Sequence, residues 1–287
     1  ILIKTKSATI DKAKYSINAY GGFKSSLKLH PMMTTQDYLG LRFAEAEKEP
    51  TLRGITNQES ARLYLSQNVP STDWQDVGLN NNAAIYNVQA SVSGGKKEFS
   101  YLISGGLMTD EGIMVHSDYT RLNLRAKMNM QLSNAVRLDI NIAPSYSKRE
   151  RPATKYADFF RSFDWLPVRH DEFTSALTGQ PVGSFTAGRD FNDRTYYKPN
   201  PNNPDQPIAF TSNPWNTANK NPMSVMENEE QNQHDYQINS SAALNFKITK
   251  ELSFKTTNGF NIRYRENDGY RNYASRKDGE PNQATYK

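Results

Sequence analysis

The amino-acid sequence predicts an all-β fold, an antiparallel transmembrane β-barrel with long and partly helical loops. About seven segments alternate apolar and polar residues with a period of two, which is typical of strands with one apolar and one polar face. Short and long connections alternate along the chain, as they do between the two ends of an outer-membrane barrel. A large soluble β-protein could produce the same alternation, so the pattern alone leaves that alternative open.

Composition is consistent with a barrel and excludes several other classes. Of the 287 residues, 36% are hydrophobic, as expected where only every second strand residue is apolar and the loops are polar. No run of 18 apolar residues is present, which excludes a transmembrane helix. The absence of cysteine excludes disulfides and thiolate metal sites. A net charge of +5 without a dense basic run gives no indication of a nucleic-acid partner.

The central strands lie between residues 84 and 149 and predict a meander. A three-residue loop at Ser133–Ala135 sets Met130 opposite Leu138, so apolar residues share one face and polar residues the other. In the preceding hairpin, a loop at Gly94–Lys97 sets Val92 opposite Phe99. One register therefore satisfies both faces of each hairpin, which indicates antiparallel pairing.

Three further strands flank this meander. One is predicted at Lys14–Phe23, and two more at Tyr236–Ile248 and Leu252–Tyr264 with a tight turn between them. After Glu266 the sequence predicts a loop to its last residue. Seven strands cannot close a single-chain bacterial barrel, which has an even number and at least eight, so we expect a part of a larger barrel.

Two long connections interrupt the strands, at about residues 24–83 and 150–233. The first contains a helix start at Thr34 and a second helical pattern at Gln58–Gln67. The second is rich in proline, asparagine and aromatic residues, and Pro199–Pro204 excludes a helix or a strand interior there. In an outer-membrane barrel the short turns lie in the periplasm and the long loops outside the cell.

Several ordered motifs resemble the SusC/RagA family of TonB-dependent transporters. Ile1–Lys6 is similar to the last strand of that family's plug domain, and Val88–Gly95 followed by Phe99–Gly106 is similar to its first barrel hairpin. Further similar stretches are Glu111–Met114, Tyr119–Arg125 and Asn221–Met223. The departures are local: Lys4 stands where threonine is usual, and Ala8–Asp11 lacks the usual Gly-Lys run.

The resemblance implies a domain division and a function. Residues 1–8 would be the C-terminal end of the plug, and residues 9–287 the N-terminal part of a 22-stranded barrel. The function implied is TonB-dependent active import of a nutrient oligomer, an oligosaccharide or a peptide, across the outer membrane of a Gram-negative bacterium. A SusD-like lipoprotein would close the extracellular mouth, and the TonB complex would act through a region preceding this sequence. The alternatives are a siderophore or cobalamin receptor, and a surface-binding β-protein that transports nothing.

Two groups of candidate site residues follow from these patterns. Aromatic residues of the second long connection could stack on sugar rings, or could instead pack between loops or against the lipoprotein: Trp165, Tyr196, Tyr197 and Trp215. Charged residues of the polar strand faces would point into the lumen, where they could attract an anionic cargo or pair with each other and with the plug: Arg121, Arg125, Lys127, Arg137, Asp139, Lys247, Lys255 and Arg263.

Catalysis is the functional class that the sequence argues against. The four histidines lie far apart, none at a spacing typical of a zinc site. The most suggestive cluster, His170-Asp171-Glu172, is also an ordinary solvated loop sequence, and no nucleophile elbow or P-loop motif is present. We therefore predict no enzyme, no catalytic residue, no metal ligand and no cofactor.

Overall fold

A computed structural model describes residues 12–49, 55–215, 220–275 and 285–286. Within these residues, eight strands form one antiparallel sheet in the order β1-β2-β3-β4-β5-β8-β9-β10, and β6 pairs with β7 in a separate hairpin. The strands are β1 (Lys14–Lys24), β2 (Ala83–Gly95), β3 (Phe99–Glu111), β4 (Asp118–Gln131), β5 (Val136–Glu150), β6 (Arg194–Lys198), β7 (Ile208–Ser212), β8 (Glu229–Lys247), β9 (Ser253–Arg271) and β10 (Thr285–Tyr286).

All helices of the described residues lie in the two long connections. Thr34 caps the first helix through its side chain, and Thr56 and Glu59 form a capping box on the second, so both predicted helices are confirmed. None of these helices is both long and apolar enough to span a membrane. They are α1 (Thr35–Lys48), α2 (Asn57–Asn68), α3 (Trp74–Val77), α4 (Tyr156–Phe159), α5 (Glu172–Thr178) and α6 (Pro222–Asn228).

The predicted register is confirmed in one hairpin and wrong in another. Met130 lies opposite Leu138 across β4 and β5, as predicted. Across β2 and β3, however, Val92 lies opposite Ile103 and not opposite Phe99. The reason is that β2 continues through Gly95, where φ is +151° and a Cβ would lie 2.4 Å from the Phe99 carbonyl oxygen. Because the slip is an even number of residues, every side chain keeps its predicted face.

The ends of the pattern were also predicted incorrectly. The loop expected after Glu266 is strand in part, since β9 runs to Arg271 and Tyr270 pairs with Tyr286 of β10. The strand was missed because both of its faces turn polar there, so alternation no longer signals it. The hairpin of β6 and β7 was missed because each strand has only five residues, too few for a clear alternation, although the proline-rich segment does form its turn. The proposed plug end, residues 1–8, lies outside the described residues.

The sheet has one polar and one apolar face, as the alternation predicts. Cross-strand pairing sets Asn123, Ser145, Gln237 and Arg263 side by side on the polar face. The opposite face carries large side chains that are exposed in the isolated chain, among them Ile17, Val88, Leu107, Leu122, Leu124, Ile142, Ile238, Phe260 and Ile262. An apolar face of this extent must be covered by an apolar environment or by a partner, because its contact with water is unfavourable.

Candidate functional site

The two long connections fold together at one end of the sheet, and we call this unit the cap (residues 25–49, 55–82, 151–215 and 220–228). Its hydrophobic core draws side chains from both connections, including one from α6 in the second connection. A core shared in this way means that neither connection is an independent loop. The buried core residues are Ala61, Leu65, Val69, Trp74, Phe159, Trp165, Leu166, Phe191, Tyr196, Trp215 and Met226.

Directed hydrogen bonds join the two halves of the cap. The indole Nε1 of Trp74 donates to the carbonyl oxygens of Phe163 and Leu166, each at 3.0 Å. Arg62 Nε donates to the Pro214 carbonyl at 2.9 Å, and its guanidinium lies 4.7 Å from the Phe163 ring centroid. Burial lowers the pKa of Arg62, although charge contacts oppose this shift. The cap is therefore an ordered surface and not a set of separate loops.

Three of the four candidate stacking aromatics form the cap core. Trp165 and Tyr196 are 0% exposed and Trp215 is 2% exposed, whereas Tyr197 is 47% exposed. The rings of Trp165 and Trp215 contact each other edge to face with centroids 6.1 Å apart. The Tyr196 hydroxyl donates to the Phe191 carbonyl, and burial raises its pKa well above the ordinary value. The structure favours packing between loops for the three buried rings and leaves Tyr197 accessible.

A cleft of about 550 Å³ opens in the cap, between residues 29–38, 71–75 and 160–164. Its mouth carries the exposed side chains of Met32, Met33 and Tyr38. At its wall, Asp164 accepts hydrogen bonds from the backbone N–H and the hydroxyl of Thr35. Sequence reasoning missed this cleft, because its residues come from three segments without a common pattern. The signal that could have pointed to the cleft is the apolar pair Met32 and Met33, in a connection that otherwise shows no apolar pattern.

All eight candidate lumen residues lie on the polar face of the sheet. Cross-strand partners place Arg137 beside Asn245 and Lys255, and Asp139 beside Asn129 and Ala243. Asp139 accepts hydrogen bonds from Arg137 Nε at 2.8 Å and from Asn245 Nδ2 at 3.0 Å. One of the alternatives considered for this face, pairing of the charged residues with each other, is therefore observed around Asp139.

A second charged group lies on the same face next to the cap. Arg121 and Arg263 join three arginines that sequence reasoning did not select, and together they line a cavity of about 420 Å³ around Asp235. The missed arginines are Arg149, Arg151 and Arg265. The period-two alternation could have identified Arg149 and Arg265, because both continue the polar faces of their strands.

The histidines have structural partners. His170 Nε2 lies 3.3 Å from Asp190 Oδ2 in the cap interior, and His116 Nδ1 lies 3.1 Å from Glu150 Oε1. In the described ranges, no group of three histidine, cysteine or acidic side chains is arranged to hold a metal ion. His170 stacks on Phe191 with ring centroids 5.9 Å apart, which assigns it to cap packing.

Comparison with known proteins identifies relatives of this architecture. No family model matches the chain. The chain is 24% identical over 155 residues to TonB-dependent receptor P3 of Formosa agariphila, an alignment covering 54% of this chain and 14% of that protein. It is 22% identical over 187 residues to TonB-dependent receptor P26 of the same organism, covering 64% and 18% respectively. Both of these relatives are TonB-dependent receptors by name.

Solved structures extend the match to nearly the whole fold. A structure of the RagAB peptide transporter superposes with a TM-score of 0.60 at 16% identity, covering 96% of this chain and 31% of that chain. The open-open state of the RagAB peptide importer gives a TM-score of 0.59 at 18% identity, covering 96% and 30%. Together with the sequence similarity to TonB-dependent receptors, these matches support a SusC/RagA-type TonB-dependent receptor. The resemblance read from the sequence is thereby confirmed, and the chain spans less than a third of the length of these structures.

Proposed function

We propose that this chain is part of a barrel that imports a nutrient oligomer across the outer membrane by TonB-dependent active transport. The observation that carries the proposal is the two-faced sheet, with an exposed apolar face, a polar face and a folded cap at one end. The similarity to TonB-dependent receptors supports the same function. In the whole protein, 22 strands would close around a plug that includes residues 1–8.

The size of the apolar face supports its placement in a lipid bilayer. On β9 it runs from Phe254 to Tyr264, eleven residues whose ten steps rise about 33 Å along the strand and span about 23 Å at a 45° tilt. Aromatic rings flank this band at both ends. Tyr236 contacts Tyr146 and Tyr264 at one end, and Phe246 contacts Phe254 at the other. An apolar band about 25 Å tall between aromatic girdles is typical of outer-membrane barrels.

In this proposal the cap lies outside the cell and the tight turns lie in the periplasm, as long loops and short turns do in outer-membrane barrels. The polar face, with its candidate lumen residues, then lines the transport path. Tyr197 remains the accessible aromatic candidate for contact with cargo.

The proposed partner at the cap is a SusD-like lipoprotein. The solved structures with a similar fold are structures of RagAB. The SusC/RagA resemblance implies a lipoprotein that covers the extracellular mouth. The cap supports this role because it is ordered and presents exposed apolar side chains at Leu27, Met32, Met33 and Leu41. Energy for transport would come from the TonB complex.

The cargo is an oligosaccharide or a peptide. RagAB is a peptide transporter, which favours a peptide for a chain of the same fold. Uptake of labelled oligopeptides and oligosaccharides by wild-type and gene-deleted cells distinguishes the two. We expect one class to accumulate only in wild-type cells with a functional TonB system. Equal accumulation of both classes with and without the gene would contradict import.

Lipoprotein docking is tested by shortening the turn between β6 and β7. Removal of Pro201–Asp205 leaves all pairs of that hairpin in place. We expect weaker co-purification of the lipoprotein, while the barrel still folds in the membrane. Asn134→Ala in the tight turn between β4 and β5, at the opposite end, is the control and should leave co-purification unchanged. Undiminished co-purification with the shortened hairpin would exclude its turn from the docking surface.

A further inference from the structure

Five arginines gather on the polar face of the sheet at the end nearest the cap, and we call them the arginine cluster. Arg121 belongs to β4, Arg149 is the second-last residue of β5 and Arg151 follows that strand, while Arg263 and Arg265 belong to β9. They line a common cavity of about 420 Å³, whose other walls are Tyr119, Ser145, Ser147, Gln233, Asp235 and Gln237.

The strand register brings these arginines together. Arg121 lies opposite Ser147, which lies opposite Asp235, which in turn lies opposite Arg265. Adjacent strands are about 4.8 Å apart, so this row crosses four strands within about 15 Å. Arg149 stands two residues from Ser147 on the same face, diagonal to Arg121.

Local contacts orient the guanidinium groups without neutralising them. Asp235 Oδ1 accepts hydrogen bonds from Arg263 Nε at 2.9 Å and from Arg265 Nε at 3.0 Å. Its second oxygen accepts from Gln233, whose side-chain oxygen accepts from Arg151. The Arg149 guanidinium lies 5.3 Å from the Tyr119 ring centroid. Because the two contacts with Asp235 use Nε, the terminal Nη donors of both arginines are left for a further acceptor.

The charges of the cavity do not balance. Five guanidinium groups face one carboxylate, and within the described part of the chain neither Arg121 nor Arg149 lies within ion-pair distance of an acidic group. Like charges at this spacing repel, and together they make the electrostatic potential of the cavity positive. Arginine forks bind carboxylates in a bidentate manner, so the arrangement is complementary to an anion.

We propose that the arginine cluster binds carboxylate groups of an imported oligomer as the cargo passes from the cap into the barrel. This inference rests on the proposed function, since it makes the cavity part of the transport path. It assigns the cargo an acidic character and leaves open whether the carboxylates belong to a peptide or to a glycan.

The test is binding by the purified full-length transporter. The probes are fluorescent tetraglutamate and an oligogalacturonate, with tetraglutamine and a neutral hexose oligomer as uncharged counterparts. We expect tight, salt-sensitive binding of one acidic probe, and the double variant R121Q/R149Q to bind it at least tenfold more weakly. The matched control, K96Q/K97Q, removes two exposed positive charges from the turn between β2 and β3 at the other end of the sheet and should change binding less than twofold.

Two results would overturn the proposal. One is binding of acidic and neutral probes with equal affinity by the wild-type protein, and the other is unchanged binding by R121Q/R149Q. If unchanged binding comes with a lower unfolding temperature of R121Q/R149Q, acidic residues elsewhere in the full-length chain occupy the cluster. Failure of the proposed function is separate, because it is read from nutrient uptake in gene-deleted cells.

Discussion

Gly188 lies against the ring of Trp215 in the cap core. A Cβ at this position would lie 1.8 Å from a Trp215 ring atom, so Gly188→Ala forces the indole to move. Overpacking of this kind costs about 1–3 kcal/mol. We expect a lower unfolding temperature and faster proteolysis of the cap. Gly40→Ala is the control, because nothing lies within 4 Å of its Cβ and alanine favours the interior of α1. Equal loss in both variants would contradict this packing.

Trp165 and Tyr197 separate core packing from surface contact. Trp165→Ala removes a fully buried ring and should cost about 3–5 kcal/mol in cap stability. Tyr197→Ala removes a ring that is about half exposed and should leave the unfolding temperature within a few degrees. If Tyr197 contacts cargo, its variant weakens oligomer binding by the full-length protein. A Trp165 variant with wild-type stability would contradict the assignment to the core.

At the scale of a single strand, β4 tests the two faces of the sheet. Leu124 is 51% exposed on the apolar face, and Asn123 lies on the polar face. Leu124→Arg should disrupt membrane assembly, since a charge facing lipid near the midplane costs about 2–4 kcal/mol. Asn123→Arg should be far milder.

The readout is the fraction of heat-modifiable, folded barrel in membranes. The two variants introduce the same side chain at neighbouring positions, so they differ in face alone. Equal loss of folded barrel would show that the apolar face does not contact lipid.

At the scale of the whole molecule, the cap and the tight turns lie at opposite ends of the sheet. An epitope inserted at Asn203, in the turn between β6 and β7, should react with antibody on intact cells. An epitope at Asn134, between β4 and β5, should react only after permeabilisation. Labelling of the Asn134 epitope on intact cells would invert the proposed orientation.

The sequence by itself determined the sheet and its two faces. Strand alternation is a local property, because each residue of a strand points to the side opposite its neighbours. Leu122 and Leu124 therefore reveal their face without knowledge of the partner strand. Even the wrong pairing of Val92 left the faces intact, since the error was an even number of residues. Thr34 marked its helix through capping, which is equally local.

Only the tertiary structure decided the cap and the arginine cluster. An exposed stacking ring and a buried core ring look alike in sequence, and the burial of Trp165 depends on α2 and α3, some 90 to 110 residues earlier in the chain. Arg121 and Arg265 lie far apart in sequence and meet because the registers of three successive strand pairs align them. Such long-range placement arises from the sum of many pairings and packing contacts, and no single segment of the sequence encodes it.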